Sequence, residues 1–303
     1  MGVLPILAGE NGVILEDIYA HRTLQEASEL CRTRGAKYEH YEHNNLDHLT
    51  LLLKKYKDAP TRIIVVDGVY SMNCTFVNLP KLCKIAKEHN AIIYMDDAHG
   101  FGILGESPDA NSEYGYKGNG IHSYFGLDLK KEPIFYIAGL SKAYSSHAAF
   151  ITCNSSEMRN KIRTASPYIF SGPVPNATIS SSLTGLKVNS KIGNDLRNKI
   201  YKMSKKLVDG IRNLGFTVEN TKYFPIVYVV LGNQDLTIKA ANKAWDVGLL
   251  LSPGVFPIVP VERSGLRFSV TSDNTDEQIE IVLGFFRELS KEISLKKTTE
   301  KVA

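Results

Sequence analysis

Three short apolar runs set the architecture of this chain. Residues 62–66, 91–95 and 133–138 are too short for ordinary helices, and each runs directly into glycines and polar side chains. A strand buried on both faces needs a continuous apolar run of that length, because neither face is left to water. Helical patterns lie between and around them. Residues 24–34 close at Gly35, residues 46–56 carry leucines along one side, and residues 78–89 open on Asn78 with Pro80 in the first turn. Asparagine can cap free amides at a helix start, and proline costs nothing there. This alternation predicts an α/β fold with a largely parallel sheet and helices on both faces. A short strand at 13–15 follows the turn at 9–12, and a fourth strand of the later series spans 148–153.

The ends of the chain read differently. Residues 1–8 are apolar with no cap before them, which fits a buried strand or helix end, or a chain representing the later part of a longer protein. From about residue 175 the rhythm changes. Residues 176–188 and 192–214 read as two long helices, the second closed by Gly215. Strands are expected at 216–219, 226–231 and 265–270, and a helix at 240–247 stops at Gly248. Thr275 and Gln278 have the spacing of a capping box for a last helix. The expected organisation is a large domain over 1–174, incomplete at its N-terminus, and a smaller α+β domain over 175–303.

Composition narrows the class of function. Net charge is +4 with no dense basic run, so nothing supports nucleic-acid binding. The basic stretch at 291–301 reads as a solvated end. No apolar run approaches the ~20 residues needed to span a bilayer, and no signal-peptide pattern opens the chain. Cys31, Cys74, Cys83 and Cys153 form no CxxC pair and read as reduced thiols of a cytoplasmic protein.

In a parallel α/β sheet, ligands bind beyond the carboxyl ends of the strands. Three such ends carry unusual polar residues: Asp67-Gly68-Val69-Tyr70-Ser71, Asp96-Asp97-Ala98-His99-Gly100 and Gly139-Leu140-Ser141-Lys142. Taken singly, each has a plain reading. The aspartates and histidine cap a loop or ligate a metal, although no second histidine or cysteine cluster lies close by in sequence, and Lys142 is a surface lysine. Taken together they suit pyridoxal 5′-phosphate (PLP). A lysine holds the aldehyde as a Schiff base, a carboxylate keeps the pyridine nitrogen protonated, and a histidine or serine hydrogen-bonds the 3′ oxygen. Lys142, Asp96, His99 and Ser71 supply these parts.

With those residues in place, the chain resembles the α-oxoamine synthases, a branch of the class I/II aminotransferase-like, fold-type I PLP enzymes. That branch includes 8-amino-7-oxononanoate synthase, glycine C-acetyltransferase, 5-aminolevulinate synthase and serine palmitoyltransferase. Asp17-Ile18-Tyr19-Ala20-His21 is similar to a family segment whose histidine stacks on the cofactor ring. His43-Asn44-Asn45-Leu46-Asp47-His48-Leu49 is similar to its "HND…HL" segment, and Asp67 to Met72 to its "D/E-G-V-F-S-M" strand end. Asp96 to Gly100 matches its "DDAHG" run, the most specific local signal. Ser141-Lys142-Ala143, Pro167-Tyr168-Ile169-Phe170-Ser171 and Leu266-Arg267-Phe268 complete the match.

The resemblance implies a homodimeric or heterodimeric acyltransferase of biosynthesis that condenses an amino acid with an acyl-CoA, usually with loss of CO₂. Lys142 and His21 are the implied catalytic residues. His21, Ser71, Asp96, His99, Gly139, Ser141, Lys142 and Ser171 are implied at the cofactor, the last at the phosphate of the partner subunit. Arg267 is implied at the substrate carboxylate, where a guanidinium makes two parallel hydrogen bonds. Two other readings stay open: a catalytically impaired fragment or supporting subunit, and a PLP-dependent aminotransferase. Three departures stand out. The N-terminal stretch that cradles the phosphate in the family has no counterpart, Gly139 replaces a threonine, and Tyr144-Ser145-Ser146-His147 replaces a glycine-rich stretch.

Overall fold

The computed structural model describes residues 1–153 and 155–299. The chain divides into two compact units. One comprises Met1–Tyr70 and Phe76–Asn194, and the other comprises Ser71–Thr75 and the chain from Asp195 onward.

The first unit is built on a six-stranded sheet. Its strands are β1 (Val13–Asp17), β2 (Lys37–Tyr41), β3 (Arg62–Asp67), β4 (Ile92–Asp96), β5 (Ile134–Gly139) and β6 (Ala149–Ile151), in the order β2-β1-β3-β4-β5-β6. All pairs are parallel except β5 with β6. The antiparallel edge departs from the run of parallel strands that the alternation implied, and it follows from a short return after residue 139 without a crossover helix. β3 is buried along its whole length, as its uninterrupted apolar run required. β2, with the sequence KYEHY, has no apolar run to announce it. It pairs only with β1 and forms one edge of the sheet.

The helices of this unit follow local signals closely. α1 (Leu4–Ala8) is the apolar start, with Leu4, Leu7 and Ala8 buried. α2 (Arg22–Thr33) ends before Gly35, whose φ of 101° is ready-made for a chain reversal. α3 (Leu46–Lys55) is capped by Asn45 and α4 (Leu79–Glu88) by Asn78, each side chain accepting a backbone N–H in the first turn. Short helices α5 (Ile121–Tyr124), α6 (Ser156–Arg163) and α7 (Ser166–Ile169) lie in stretches with no clear periodicity. Leu4, Leu7, Ile14, Leu24, Ala27, Ile63 and Val65 pack in one core cluster between α1, α2 and the sheet.

Where two helices were expected at 176–188 and 192–214, a single helix α8 (Asn176–Asn213) runs through. The polar stretch at 189–191 looked like a break, but Ser190 turns its hydroxyl back to the Lys187 carbonyl and the ladder continues. The division between units falls within α8, between Asn194 and Asp195.

The second unit carries a four-stranded antiparallel sheet of β7 (Thr217–Val218), β8 (Ile226–Val230), β9 (Ser252–Gly254) and β10 (Gly265–Ser269), in the order β7-β8-β10-β9. α9 (Gln234–Asp246) starts earlier than its apolar pattern suggested, because Asn233 caps it by accepting from the Leu236 amide. α10 (Asp276–Thr299) opens with the expected box. Thr275 N donates to Gln278 Oε1 at 3.1 Å, and Gln278 N donates to Thr275 Oγ1 at 3.3 Å. The end of the 291–301 basic stretch, past residue 299, lies outside the described residues. Leu207, Val208, Ile211, Val227, Val229, Leu266 and Phe286 form the core of this unit. No helix among the described residues is long and apolar enough to cross a membrane.

Candidate active site

The carboxyl ends of β1, β3, β4 and β5 place Asp17, Asp67, Asp96 and Gly139 along one edge of the sheet. Asp67 and Asp96 are register partners on adjacent parallel strands, and Ile137 of β5 pairs with Asp96. The strand-end polar residues singled out in the first unit are therefore brought to one edge by parallel register alone.

The two consecutive aspartates after β4 do different work, because successive side chains in an extended segment point to opposite sides. Asp96 is half-buried. Its Oδ1 accepts the Ala98 amide at 2.9 Å, and among the described residues its Oδ2 accepts nothing. Asp97 is fully buried, accepting the Ile121 amide at 2.8 Å and the Tyr136 hydroxyl at 2.7 Å through Oδ2. Burial pushes its carboxyl up to about 7. A Cβ at Gly100 would strike Asp97 Oδ1, so glycine there is a packing requirement. Asp97 is a structural tie between β4, α5 and β5, and Asp96 is the one left open to a ligand. His99 is half-buried in the turn that follows.

Lys142 is exposed in the turn after β5. That turn is closed by bonds from Leu140 N to Ala148 O at 2.7 Å and from Ser146 N to Leu140 O at 3.0 Å. Ser146 is buried and its hydroxyl meets Thr178 O at 3.0 Å and Ser182 Oγ at 2.8 Å on α8. Tyr144 packs against α8 at Gly185, where a Cβ would come within 2.9 Å of the ring. The stretch that departs from the glycine-rich pattern is thus anchored by the Ser146 hydroxyl and by a small residue opposite Tyr144. At Gly139, a Cβ would lie 3.7 Å from Ser141 Oγ, so the Ser141 hydroxyl sits beside the position where a residue-139 side chain would project.

His21 is exposed at the start of α2. Its Nδ1 accepts the Thr23 amide at 3.3 Å and so caps the helix, and the same nitrogen lies 2.8 Å from the Thr23 hydroxyl. Its own amide donates to Asp67 Oδ2 at 2.8 Å. Asp17 is fully buried and accepts from Tyr19 N at 2.9 Å, Asn44 N at 2.9 Å and His43 Nδ1 at 2.8 Å. The His43 ring stacks on Tyr19 at 4.5 Å and meets Tyr70 edge-on at 4.4 Å. Sequence reasoning noted Asp17, His43 and Asp67 as parts of motifs but not as a connected scaffold. A buried strand ending in aspartate, followed within a few residues by a histidine, was the available signal.

Ser71 and Arg267 both belong to the second unit. Arg267, half-buried on β10, donates from Nε to Ser71 O at 3.0 Å and from one terminal nitrogen to Ser269 Oγ at 3.4 Å, and its guanidinium carries further donors. Ser171 is exposed just after α7. Among the described residues no cluster of histidine, cysteine, aspartate and glutamate is arranged to hold a metal ion.

A half-buried strand-end carboxylate with an open oxygen, a histidine in the next turn and an exposed lysine amine after the neighbouring strand fit a cofactor with a basic ring nitrogen and an aldehyde. The aminotransferase class I and II family matches residues 3–286, and the chain belongs to that family. It is 28% identical to 8-amino-7-oxononanoate synthase of Exiguobacterium sibiricum over 97% of this chain and 71% of that protein. It is 29% identical to serine palmitoyltransferase of Sphingobacterium spiritivorum over 95% of this chain and 69% of that protein. The Sphingomonas wittichii serine palmitoyltransferase structure superposes with a TM-score of 0.84 at 24% identity, covering 97% of this chain and 70% of that one. The Francisella tularensis 8-amino-7-oxononanoate synthase structure gives 0.76 at 23% identity, covering 97% and 80%. The fold is that of the fold-type I transferases.

Proposed function

We propose that this protein is a PLP-dependent acyltransferase of the α-oxoamine synthase type, joining an amino acid to the acyl group of an acyl-CoA. The observation that carries this reading is the strand-end set in which Asp96 is half-buried with an open oxygen, while its neighbour Asp97 is fully buried and tied to α5 and β5. When bound, PLP supplies an aldehyde carbon for amines and an electron-withdrawing ring. Lys142 would hold the aldehyde and, once released by the substrate amine, take the α-proton. Asp96 would keep the ring nitrogen protonated, and His99 with Ser71 would hydrogen-bond the 3′ oxygen. His21 would lie against the ring, while Gly139 and Ser141 would border the phosphate side. Arg267 would hold the substrate carboxylate with its remaining donors.

A homodimer fits this reading. Tyr168, Ile169 and Phe170 are exposed, and Ile179, Leu183 and Leu186 add an exposed stripe at helical spacing on α8. A second copy of this chain would cover that face, and Ser171, next to Phe170, would reach the partner's cofactor phosphate. The four free thiols fit a reducing cytoplasm.

The test is turnover by the 303-residue chain with PLP, glycine, alanine or serine, and acyl-CoAs of graded length. Free thiol released only when both substrates are present is the expected result. Amino-group transfer to a keto acid without thiol release would replace this reading with an aminotransferase.

A further inference from the structure

We infer that Asp67 is the positioning residue that fixes His21, acting as a neutral hydrogen-bond acceptor beside the Asp96 carboxylate. This rests on the reading of His21 and Asp96 as cofactor residues given above. The loop from β1 to α2 is short, and each of its amides has a partner. Ile18 N donates to Tyr41 O, Tyr19 N to Asp17 Oδ1, Ala20 N to Asp17 O and His21 N to Asp67 Oδ2. Asp17 therefore holds the start of the loop and Asp67 its end. The His21 ring in turn is oriented by capping α2 through Nδ1. Thr23 holds the ring and the first turn of α2 holds the carbonyl, while Asp67 takes the His21 amide, the tie to a neighbouring strand.

Asp67 is also the register partner of Asp96. Neighbouring parallel strands lie ~4.8 Å apart, so two anions there repel at close range. Asp67 is 4% exposed, whereas Asp96 is half-buried, so the proton belongs on Asp67. Burial first, and the Asp96 charge second, push the Asp67 carboxyl well above the usual carboxylate range, with the His21 amide pulling the other way. The nearby charges of Asp17 and Glu16 act in the same direction as Asp96. A protonated carboxyl still accepts through its carbonyl oxygen, so the His21 bond survives while the repulsion between the two register partners is relieved.

The experiment compares Asp67→Asn, Asp67→Val and His21→Ala in the full chain by two readouts. The first is amide exchange over residues 18–21 without cofactor, and the second is the absorbance band and affinity of added PLP. Asparagine keeps a neutral acceptor, so Asp67→Asn is expected to match the unaltered chain in both. Valine fills the space without an acceptor and should speed exchange of the His21 amide about tenfold. It should also change the PLP band as His21→Ala does, with the double variant no worse than His21→Ala alone. An Asp67→Asn variant that melts normally yet behaves like Asp67→Val would overturn the neutral-acceptor role. So would an Asp67→Val variant with an unchanged His21 amide. If the unaltered chain takes up no PLP, the cofactor reading fails by itself, and amide exchange in the cofactor-free chain still decides the role of Asp67.

Discussion

Arg267 Nε donates to the carbonyl oxygen of Ser71 at 3.0 Å, tying an interior strand of the antiparallel sheet to the Ser71–Thr75 segment of the same unit. The Cys74 thiol adds a second tie, donating to Ile226 O at 3.0 Å. The residue proposed for the substrate carboxylate thus also holds the residue proposed at the cofactor's 3′ oxygen. Arg267→Lys keeps the charge but loses the planar fork and the Nε donor. The KM for the amino acid should rise at least about tenfold, and PLP affinity should fall as well. Steady-state kinetics and a PLP titration check both, and an unchanged KM would remove Arg267 from the substrate site.

Lys142 is proposed as the cofactor's covalent anchor. Lys142→Ala should abolish the visible absorbance band that the unaltered chain acquires with PLP, and borohydride should no longer fix the cofactor to the chain. Mass spectrometry reads the second result directly. A PLP adduct on another lysine after reduction would displace Lys142 from this role.

The Asp97 carboxyl, raised from 3.8 to about 7 by burial, makes a prediction about stability. Between those values the folded chain holds a proton that the unfolded chain has released, so this group's contribution is most favourable below pH ~3.8 and declines as pH rises to about 7. Glu16, fully buried and likewise raised to about 7, adds to the same slope. Asp97→Asn cannot titrate, so its unfolding free energy should fall less steeply between pH 5 and pH 7 than that of the unaltered chain. Urea melts at several pH values measure the slope, and identical slopes would contradict the buried, protonated state.

Phe286 is fully buried and meets Phe216 at 5.1 Å and Phe268 at 5.5 Å between ring centroids. Phe286→Ala removes a ring from this cluster and should cost about 3–5 kcal/mol. Urea denaturation followed by far-UV circular dichroism is the measurement.

Phe170 is 85% exposed and Leu183 52% exposed, on the face proposed for a second copy. Phe170→Asp with Leu183→Asp should convert a dimer to a monomer, halving the mass found by light scattering, because a buried carboxylate without a partner is far costlier than an exposed one. A double variant that keeps the dimer mass would place the interface elsewhere.

The sequence by itself determined the elements whose signals are local. Buried strands such as Arg62–Asp67 declare themselves by continuous apolar runs, and caps such as Asn78 and the Thr275–Gln278 box by residue type and spacing. The candidate site residues were legible for the same reason: Asp96 ends β4, His99 and Lys142 come just after strand ends, and parallel register carries strand ends to one edge. Tertiary structure decided what depends on partners distant in sequence. It separated Asp96 from Asp97, because only packing places Ile121 and Tyr136 around one carboxylate and leaves the other open. It made β2 a strand through pairing alone, and carried α8 unbroken across a polar stretch. It also joined Asp67 to His21, a bond spanning 46 residues that no local pattern encodes.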